Sequence, residues 1–382
     1  MTAPRAPREP RPMSESSTPE SYHGAHVLIA GGGVAALEAA FALRALGGDL
    51  VDLELLAPEP KFFYRPQAVF EPFGGVRVQA FELGELAEGL GAQLTLGELA
   101  SVVPAAHVVR TTRGMTLPYD VLVVATGASP TAVLRDALTF RGPADADRVA
   151  AVAQASAHGD VSPLTLAIPT RRTWPLPVYE LAFGMRSITD RPLTLATVES
   201  AAGEALGRTG SAHLTALLAS RNIKLVVDVS FERFARETTI AAPELRGARI
   251  YGLPADDDGF VPTDRFGLVL GVEDVYAAGD VTCTVVKHGS LAAGQADTVA
   301  ESIAAAAGAA VVPTPFRPVL RARLACGSES IYVRRDLADP DDPGLVSGEP
   351  LWSPPAKIFA RHLAPALAEV ARRHQRSLFW VT

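Results

Sequence analysis

Short apolar runs alternate with longer segments of helical periodicity along most of the chain. Residues 26–30 (HVLIA) and 49–57 are apolar runs of strand length, and residues 37–46 between them place apolar side chains at helical spacing. The same alternation returns in strands at 164–168, 193–198 and 223–229 and helices at 178–188 and 211–220. This pattern predicts an α/β fold with parallel strands and helical crossovers.

The first strand and helix are joined by a glycine-rich turn with G-x-G-x-x-A spacing. Gly31 permits a tight turn, Gly33 lets a ligand approach the backbone, and Ala36 allows close packing of helix and strand. The free N–H groups of the first helical turn, at Val34 and Ala35, then face a bound diphosphate together with the helix dipole. The turn predicts a dinucleotide site.

An acidic residue near the end of the second strand is expected to bind the adenosine ribose of that dinucleotide. Glu59 is the candidate and Glu54 is its rival, because Ala57 and Pro58 occupy the usual place. The turn alone does not distinguish FAD from NAD.

Composition and charge limit the choice of partners. The net charge is −7, from 42 acidic and 35 basic residues, which argues against nucleic acid as a partner. Two cysteines, Cys283 and Cys326, are too few for a disulfide framework or a tetrahedral zinc site, so a reducing cytoplasm is the expected compartment. We expect no metal, because the acidic run 256–258 is typical of a solvated loop. Residues 1–23 are predicted to be a disordered leader, and the longest apolar run, 302–312, is about half of the roughly 20 residues that span a bilayer.

Two later segments identify the dinucleotide through a family resemblance. Residues 117–128 form a buried strand that ends at Thr126-Gly127, and residues 274–280 form another that ends at Gly279-Asp280. The segment 287–295 (KHGSLAAGQ) then enters an Ala-rich helix. Together these resemble the FAD-dependent pyridine nucleotide–disulfide oxidoreductase superfamily.

The resemblance implies two Rossmann-like domains of the glutathione-reductase type, with the second inserted into the first. On this basis the FAD-binding domain spans 24–150 and 263–312, a degenerate NAD-like domain spans 151–262, and 313–382 is a C-terminal extension. Asp280 is expected to accept a hydrogen bond from the flavin ribitol. The helix after Gly289 is expected to face the N1/C2=O edge of the flavin, and the loop at Arg65 to run close to it.

The inserted domain lacks a second glycine fingerprint. Its first strand is followed by Trp174-Pro-Leu-Pro177, and prolines cannot donate N–H groups to a diphosphate. This segment resembles sulfide:quinone oxidoreductases and flavocytochrome sulfide dehydrogenases, and 287–295 resembles type II NADH dehydrogenases and sulfide:quinone oxidoreductases. The Trp174–Pro177 segment, with residues 317–320 (RPVL) and 352–358 (WSPPAKI), resembles a bacterial branch of FAD/NAD(P)-binding oxidoreductases. Trp174 stands where the sulfide oxidisers place a redox cysteine, so sulfide chemistry through a cysteine pair loses most of its support.

Three residues are catalytic candidates with alternatives left open. Glu180 is either a general acid or base beside the flavin or a charge that favours the start of a helix. Lys287 either places positive charge near the flavin or lies on the surface. Gln295 either hydrogen-bonds a quinone carbonyl or caps the neighbouring backbone.

These features predict an FAD-dependent oxidoreductase that passes electrons from a small donor to an acceptor such as a quinone. The alternatives are an NAD(P)H-dependent flavin reductase and a non-catalytic redox sensor. Residues 357–382 include a basic amphipathic segment, 357–373, which predicts peripheral membrane contact, a homodimer contact or a cover for the substrate pocket.

Overall fold

The computed structural model describes residues 24–161, 163–231, 238–284, 286–327 and 329–374. The predicted leader, 1–23, and the end of the chain, 375–382, lie outside the described residues.

The helices predicted at 37–46, 178–188 and 211–220 form, and each begins or ends within a few residues of these positions, whereas the helices at 83–90 and 146–158 were not predicted. Within the described residues the helices are α1 Val34–Gly47, α2 Leu83–Leu90, α3 Ala146–His158, α4 Leu176–Ile188, α5 Gly207–Ser220, α6 Gly289–Ala306 and α7 Leu363–Arg373.

The strands form two parallel sheets and several smaller antiparallel ones. They are β1 Ala25–Ala30, β2 Val51–Ala57, β3 Lys61–Phe63, β4 Ala80–Glu82, β5 Gln93–Leu96, β6 Leu99–Val103, β7 Val108–Thr111, β8 Thr116–Pro118, β9 Val121–Val124, β10 Ser129–Thr131, β11 Leu138–Thr139, β12 Leu164–Ile168, β13 Leu193–Thr197, β14 Lys224–Val226, β15 Thr238–Ala241, β16 Glu244–Arg246, β17 Val275–Ala277, β18 Val319–Cys326, β19 Glu329–Asp336 and β20 Leu345–Ser347.

The first parallel sheet has the order β17-β9-β1-β2-β5. Its central strand β1 is buried on both faces, because α1 and α6 cover one side and the antiparallel strands β6 to β8 cover the other. This burial explains the unbroken apolar run at Val27–Ala30. The carboxyl ends of β1, β2, β9 and β17 meet at one edge of the sheet, where ligands of open α/β sheets bind.

The second parallel sheet has the order β11-β15-β12-β13-β14. Strand β11 pairs with β15 in this sheet, although the sequence prediction placed residues 138–150 in the first domain. Strands β10 and β16 pair antiparallel where the chain crosses between the two sheets. Only pairing distant in sequence determines which sheet the short strand β11 joins, and the domain limits stay predictions.

The C-terminal extension packs on both parts of the molecule. The hairpin of β18 and β19 contributes Leu320, Ala322 and Leu324 to the core around α4 and α5. Helix α7 then buries its apolar face, including Leu363 and Leu367, in the core around α1.

The apolar face on which the predicted membrane contact depends is thus covered by the chain itself in residues 357–374. None of the described helices has the length and apolarity needed to cross a bilayer.

Candidate active site

A cavity of about 850 Å³ opens at the carboxyl edge of the first sheet. Its walls come from the turns after β1, β2, β9 and β17, from the start of α4, and from Lys357 and Ile358 of the C-terminal extension. The volume lies in the range of cofactor sites, and a cavity between two sheets is a usual place for one.

The turn between β1 and α1 has the geometry of a diphosphate cradle. Gly31 has φ +147°, and a Cβ there would lie 2.2 Å from the carbonyl oxygen of Ala125, so only glycine fits. A Cβ at Gly33 would meet nothing within 4 Å, because this residue faces the open cavity. No side chain of the described residues caps the α1 N-terminus, and its first turn has no acidic residue. The backbone and helix end are therefore suited to a bound anion.

Val34 and Ala35 line the cavity next to this turn. Ala36 does not, because it is fully buried, and its Cβ would lie 3.3 Å from a Cβ at Gly31. Ala36 therefore packs helix against turn behind the cradle, the packing role that the glycine-rich turn predicts for it.

The two acidic candidates for a ribose contact, Glu59 and Glu54, lie in different surroundings. Glu59 follows β2 and lines the cavity. Glu54 is buried within β2, where its carboxylate contacts His26 Nε2 at 3.1 Å and accepts a hydrogen bond from Thr95 at 2.6 Å. Of the two, Glu59 is the one placed to meet a ligand.

The turn after β17 lies directly against the glycine turn. Gly279 has φ +83°, and a Cβ there would lie 2.8 Å from the Cβ of Ala35. The next residue, Asp280, lines the cavity and is half-buried. Burial raises the pKa of its carboxyl group, and the positive charges of Lys287 and Arg65 oppose that rise. The structure therefore brings together the two turns that the sequence separates by about 250 residues.

Four other predicted cofactor-binding residues also line this cavity: Arg65, Thr126, Gly127 and Gly289. Gly289 is the first residue of α6, so the N-terminus of that helix opens on the cavity.

Lys287 is buried, and the surface alternative is therefore wrong. It lines the cavity, donates a hydrogen bond to the carbonyl of Thr282, and lies 3.7 Å from the centre of the Phe260 ring. Burial lowers its pKa to about 8, partly offset by the charge of Asp280. A positive charge is thus held beside the cavity at neutral pH.

Gln295 is turned away from the cavity, and its side chain caps backbone. Its Oε1 accepts a hydrogen bond from Gly279 N–H at 2.8 Å, and its Nε2 donates to the hydroxyls of Thr282 and Thr284 at 3.1 and 2.6 Å. Both ends of the amide are occupied, so the structure favours the capping alternative. Gln295 holds the Gly279-Asp280 turn in place.

Glu180 lines the cavity from the second turn of α4 but is not a free carboxylate. Lys357 Nζ lies 2.6 and 2.7 Å from its two oxygens, and Oε1 also accepts the N–H of Ala325 at 2.9 Å. Lys357 donates in addition to the carbonyl of Pro66 at 3.1 Å. Burial lowers the pKa of Lys357, and Glu180 opposes that shift.

Lys357 is a site residue that the sequence did not predict. The signal was a single lysine between Ala356 and Ile358, which are both buried. Long charged side chains in such a setting need a partner, and only the fold shows that the partner is Glu180.

His288 and Trp174 form an aromatic pair at the cavity wall, with ring centres 4.6 Å apart. His288 Nδ1 accepts a hydrogen bond from Ser290 N–H at 3.2 Å and caps α6. Burial, followed by the charge of Lys357, lowers the pKa of His288 to about 3, so its ring is neutral at physiological pH.

Both cysteines are free. Burial raises the pKa of Cys283 to about 11 and that of Cys326 to about 12, so neither is a thiolate near neutral pH. In the acidic run, Asp256 accepts from Phe260 N–H, and Asp258 pairs with Arg172 and Arg246. The described residues contain no group of three or more His, Cys, Asp or Glu arranged to hold a metal ion.

Residues 25–158 match the sequence pattern of the family described as pyridine nucleotide-disulphide oxidoreductase. The matched residues make up about a third of the chain and include the glycine turn between β1 and α1. A search of curated proteins gave no match.

Several solved structures share the fold of this chain over most of its length. The sulfide:quinone oxidoreductase of Aquifex aeolicus aligns with a TM-score of 0.71 at 18% identity, over 85% of this chain and 87% of its own. The NADH:rubredoxin oxidoreductase of Clostridium acetobutylicum gives 0.60 at 16% identity, over 86% and 84%. A ferredoxin reductase of Rhodopseudomonas palustris gives 0.63 at 16% identity, over 82% and 83%.

The family match confirms three expectations from the sequence: the α/β fold of the superfamily, FAD as the cofactor, and an oxidoreductase activity. The roles of individual residues and the exact domain limits stay predictions.

Proposed function

We propose that this protein holds FAD non-covalently in the 850 Å³ cavity and passes electrons from a small donor to a quinone without a redox cysteine pair. The observation that carries the proposal is the meeting of the Gly31–Gly33 turn and Asp280 at one cavity. Bound FAD would supply the electron-accepting and electron-donating chemistry.

The glycine turn and the α1 N-terminus would hold the diphosphate, because they offer N–H groups and a positive helix end without a competing side chain. Glu59 would accept hydrogen bonds from the adenosine ribose, and Asp280 from the ribitol chain. Gln295 would keep Asp280 in position through its hydrogen bond with Gly279.

Two positive features line the cavity, the N-terminus of α6 and Lys287, whereas the charge of Lys357 is paired with Glu180. They would stabilise negative charge on a bound ring system and so favour its reduction. The neutral ring of His288 excludes water at the wall and adds no charge there.

The residues at the start of α4 are poorly suited to binding the diphosphate of a pyridine nucleotide. Its first turn contains Pro175 at the N-cap and Pro177, neither of which has an N–H to offer. Glu199, at the position where an NAD domain keeps a ribose acid, is buried and accepts hydrogen bonds from Tyr179, Thr197 and the backbone of Glu204. Its carboxylate is engaged inside the protein.

Two observations argue against electron transfer through cysteines: the residue at position 174 and the pKa values of the two thiols. Trp174 lines the cavity at the point where sulfide oxidisers place a cysteine, and both thiols of this chain stay protonated near neutral pH. The alignment with a sulfide:quinone oxidoreductase supports a quinone as acceptor.

The test is anaerobic mixing of the FAD-loaded protein with NADH, NADPH, sulfide and a soluble quinol, followed by the visible flavin absorption. We expect the quinol to bleach the flavin and NADH and NADPH to leave it oxidised. After photoreduction, a soluble quinone should reoxidise the protein.

The matched control is the Cys283→Ser/Cys326→Ser double variant, which should react with quinone and quinol at the wild-type rate. Bleaching by NADH within seconds would favour the NAD(P)H-dependent alternative. A flavin that no donor reduces would favour the redox sensor, and loss of quinone reactivity in the cysteine-free variant would contradict the cysteine-independent route.

A further inference from the structure

The turn between β12 and α4 brings two hydrogen-bond donors to the cavity wall. Thr173 and Trp174 both line the cavity, and Thr173 is only 8% exposed. Among the residues that the structure describes, neither the Thr173 hydroxyl nor the Trp174 indole N–H has a hydrogen-bond partner. A tryptophan N–H in a protein interior ordinarily finds an acceptor, as that of Trp352 does in the carbonyl of Ala356 at 3.0 Å. The two donors of this turn are therefore available to a ligand.

His288 supplies a third donor from the start of α6. Its Nδ1 accepts the Ser290 N–H at 3.2 Å, which places the proton of the neutral ring on Nε2. Within the described parts of the chain, Nε2 has no hydrogen-bond partner. The centre of this ring lies 4.6 Å from that of Trp174, with the two planes inclined at 59°. Because burial lowers the pKa of His288 to about 3, the ring keeps this one proton at neutral pH.

The side chains from which a competing acceptor could come are already engaged. Glu180 gives both oxygens to Lys357, and its Oε1 also accepts the Ala325 N–H. Gln295, the sequence candidate for contact with a quinone carbonyl, is occupied at both ends of its amide. The three donors therefore keep their hydrogen-bonding capacity for a ligand.

The chemistry of these residues fits a flat ring that carries carbonyl oxygens. We call Thr173, Trp174 and His288 the Trp174 cluster: all three offer uncharged donors, and two of them are aromatic. A quinone has two carbonyl oxygens that accept hydrogen bonds, no donor of its own, and a flat ring that packs against aromatic surfaces. A nicotinamide ring is a poorer match, because the N–H groups of its amide need acceptors of their own.

We propose that the Trp174 cluster is the binding site for the ring of the electron acceptor, and that this acceptor is a quinone. The indole N–H, the imidazole Nε2–H and the Thr173 hydroxyl donate to its carbonyl oxygens. This inference rests on the proposed function, because it gives a place to the quinone named there. That place is the contact between the inserted domain and the first turn of α6.

The test is the dissociation constant of duroquinone from the oxidised, FAD-loaded, full-length protein, measured by equilibrium dialysis. Duroquinone carries a methyl group at every free ring position and therefore does not add to thiols. Because the flavin is oxidised and no electron donor is present, the measurement reports binding without turnover. Trp174→Phe keeps an aromatic ring and removes the N–H, so it should weaken duroquinone binding roughly fivefold, the loss expected for one hydrogen bond. Thr173→Val removes a hydroxyl at nearly constant shape and should have a similar effect.

Two further measurements separate a binding role from a structural one. The FAD affinity of both variants, measured by fluorescence titration of the flavin-free protein, should stay within about twofold of the wild-type value. Trp352→Phe is the matched control, because it also removes an indole N–H but lies outside the cavity lining. Its duroquinone affinity should equal that of the wild type.

An unchanged dissociation constant of duroquinone in Trp174→Phe would overturn the assignment. A loss of FAD affinity as large as the loss of duroquinone affinity would overturn it as well, because the cluster would then hold the flavin. If thermal melting shows that Trp174→Phe does not fold, Thr173→Val takes its place, with the same expected result and the same contradicting results.

The binding measurement and the electron-transfer test of the proposed function give separate answers. A wild type that binds duroquinone through Trp174, but whose reduced form duroquinone does not reoxidise, would keep the site and remove the function. A reduced form that duroquinone reoxidises, together with unchanged duroquinone binding in Trp174→Phe, would do the reverse.

Discussion

At the scale of single residues, the site depends on positions without a side chain as much as on the side chains that line the cavity. Gly31 and Gly33 illustrate the two cases. Gly31 is required by the fold, because a Cβ there would collide with the Ala125 carbonyl. Gly33 has open space around it, so the fold tolerates a side chain that a ligand would not.

Gly33→Val should therefore reduce FAD affinity at least roughly tenfold, since the side chain occupies the space of the diphosphate, while the melting temperature stays close to that of the wild type. Fluorescence titration of the flavin-free protein measures the affinity. The control is Gly84→Ala in α2, which also has nothing within 4 Å and lies outside the cavity lining. Equal FAD affinity in Gly33→Val and Gly84→Ala would refute the cradle.

His288 gives the site a dependence on acid. The pKa of His288 is about 3 in the folded chain and about 6.5 in the unfolded chain. Between these two pH values the unfolded chain therefore binds a proton at this residue and the folded chain does not. The free energy of unfolding should then fall as pH drops from about 6.5 towards 3, by up to roughly 1 kcal/mol per pH unit.

His288→Asn keeps a side-chain acceptor for the Ser290 N–H and removes the titration. We expect urea denaturation of this variant to show a shallower loss of stability between about pH 6.5 and 4.5 than that of the wild type. An identical acid dependence in both proteins would show that His288 is not the group responsible.

At the scale of elements, the cavity is closed by contacts between segments far apart in sequence. The Glu180–Lys357 pair joins α4 to the C-terminal extension across 177 positions, and Glu38 joins α1 to α7 across 324. Each places a charge inside the protein, and each charge is matched by a partner that only the assembled fold supplies.

Lys357→Met should destabilise the protein by about 3–5 kcal/mol, because it leaves Glu180 buried without its counter-charge. Adding Glu180→Gln should recover a large part of that loss. Lys61→Met, at the exposed pair with Glu82, is the matched control and should cost less than about 1 kcal/mol.

Urea denaturation of the two single variants, the double variant and the control gives the coupling energy. If the effects of Lys357→Met and Glu180→Gln on the free energy of unfolding were additive, the two side chains would not interact. That result would contradict their role in joining the C-terminal extension to the cavity wall.

At the scale of the whole molecule, the sequence predicts what is encoded locally. The β1–α1 turn, the Gly279-Asp280 turn and the strands of the inserted domain were predictable because each rests on a short run of residues with one physical requirement. The surroundings of Lys357 and the sheet to which β11 belongs depend on contacts distant in sequence. The inward orientation of Gln295 was left open for a similar reason, since its partner Gly279 lies 16 positions away.

The same limit applies to the C-terminal extension. Its helical periodicity predicted α7, and the alternative of a cover for the pocket agrees with the position of Lys357 and Ile358 in the cavity wall. Periodicity does not reveal which surface an apolar face covers, and here that surface is α1.

The most direct test of the central claim is a calorimetric titration of the flavin-free protein with FAD, and with FMN for comparison. With the diphosphate held by the glycine turn and the adenosine ribose by Glu59, as proposed, we predict one FAD per chain, bound at least roughly tenfold more tightly than FMN, which lacks both the diphosphate and the adenosine. A protein that takes up no FAD, or that binds FMN as tightly as FAD, would contradict the account.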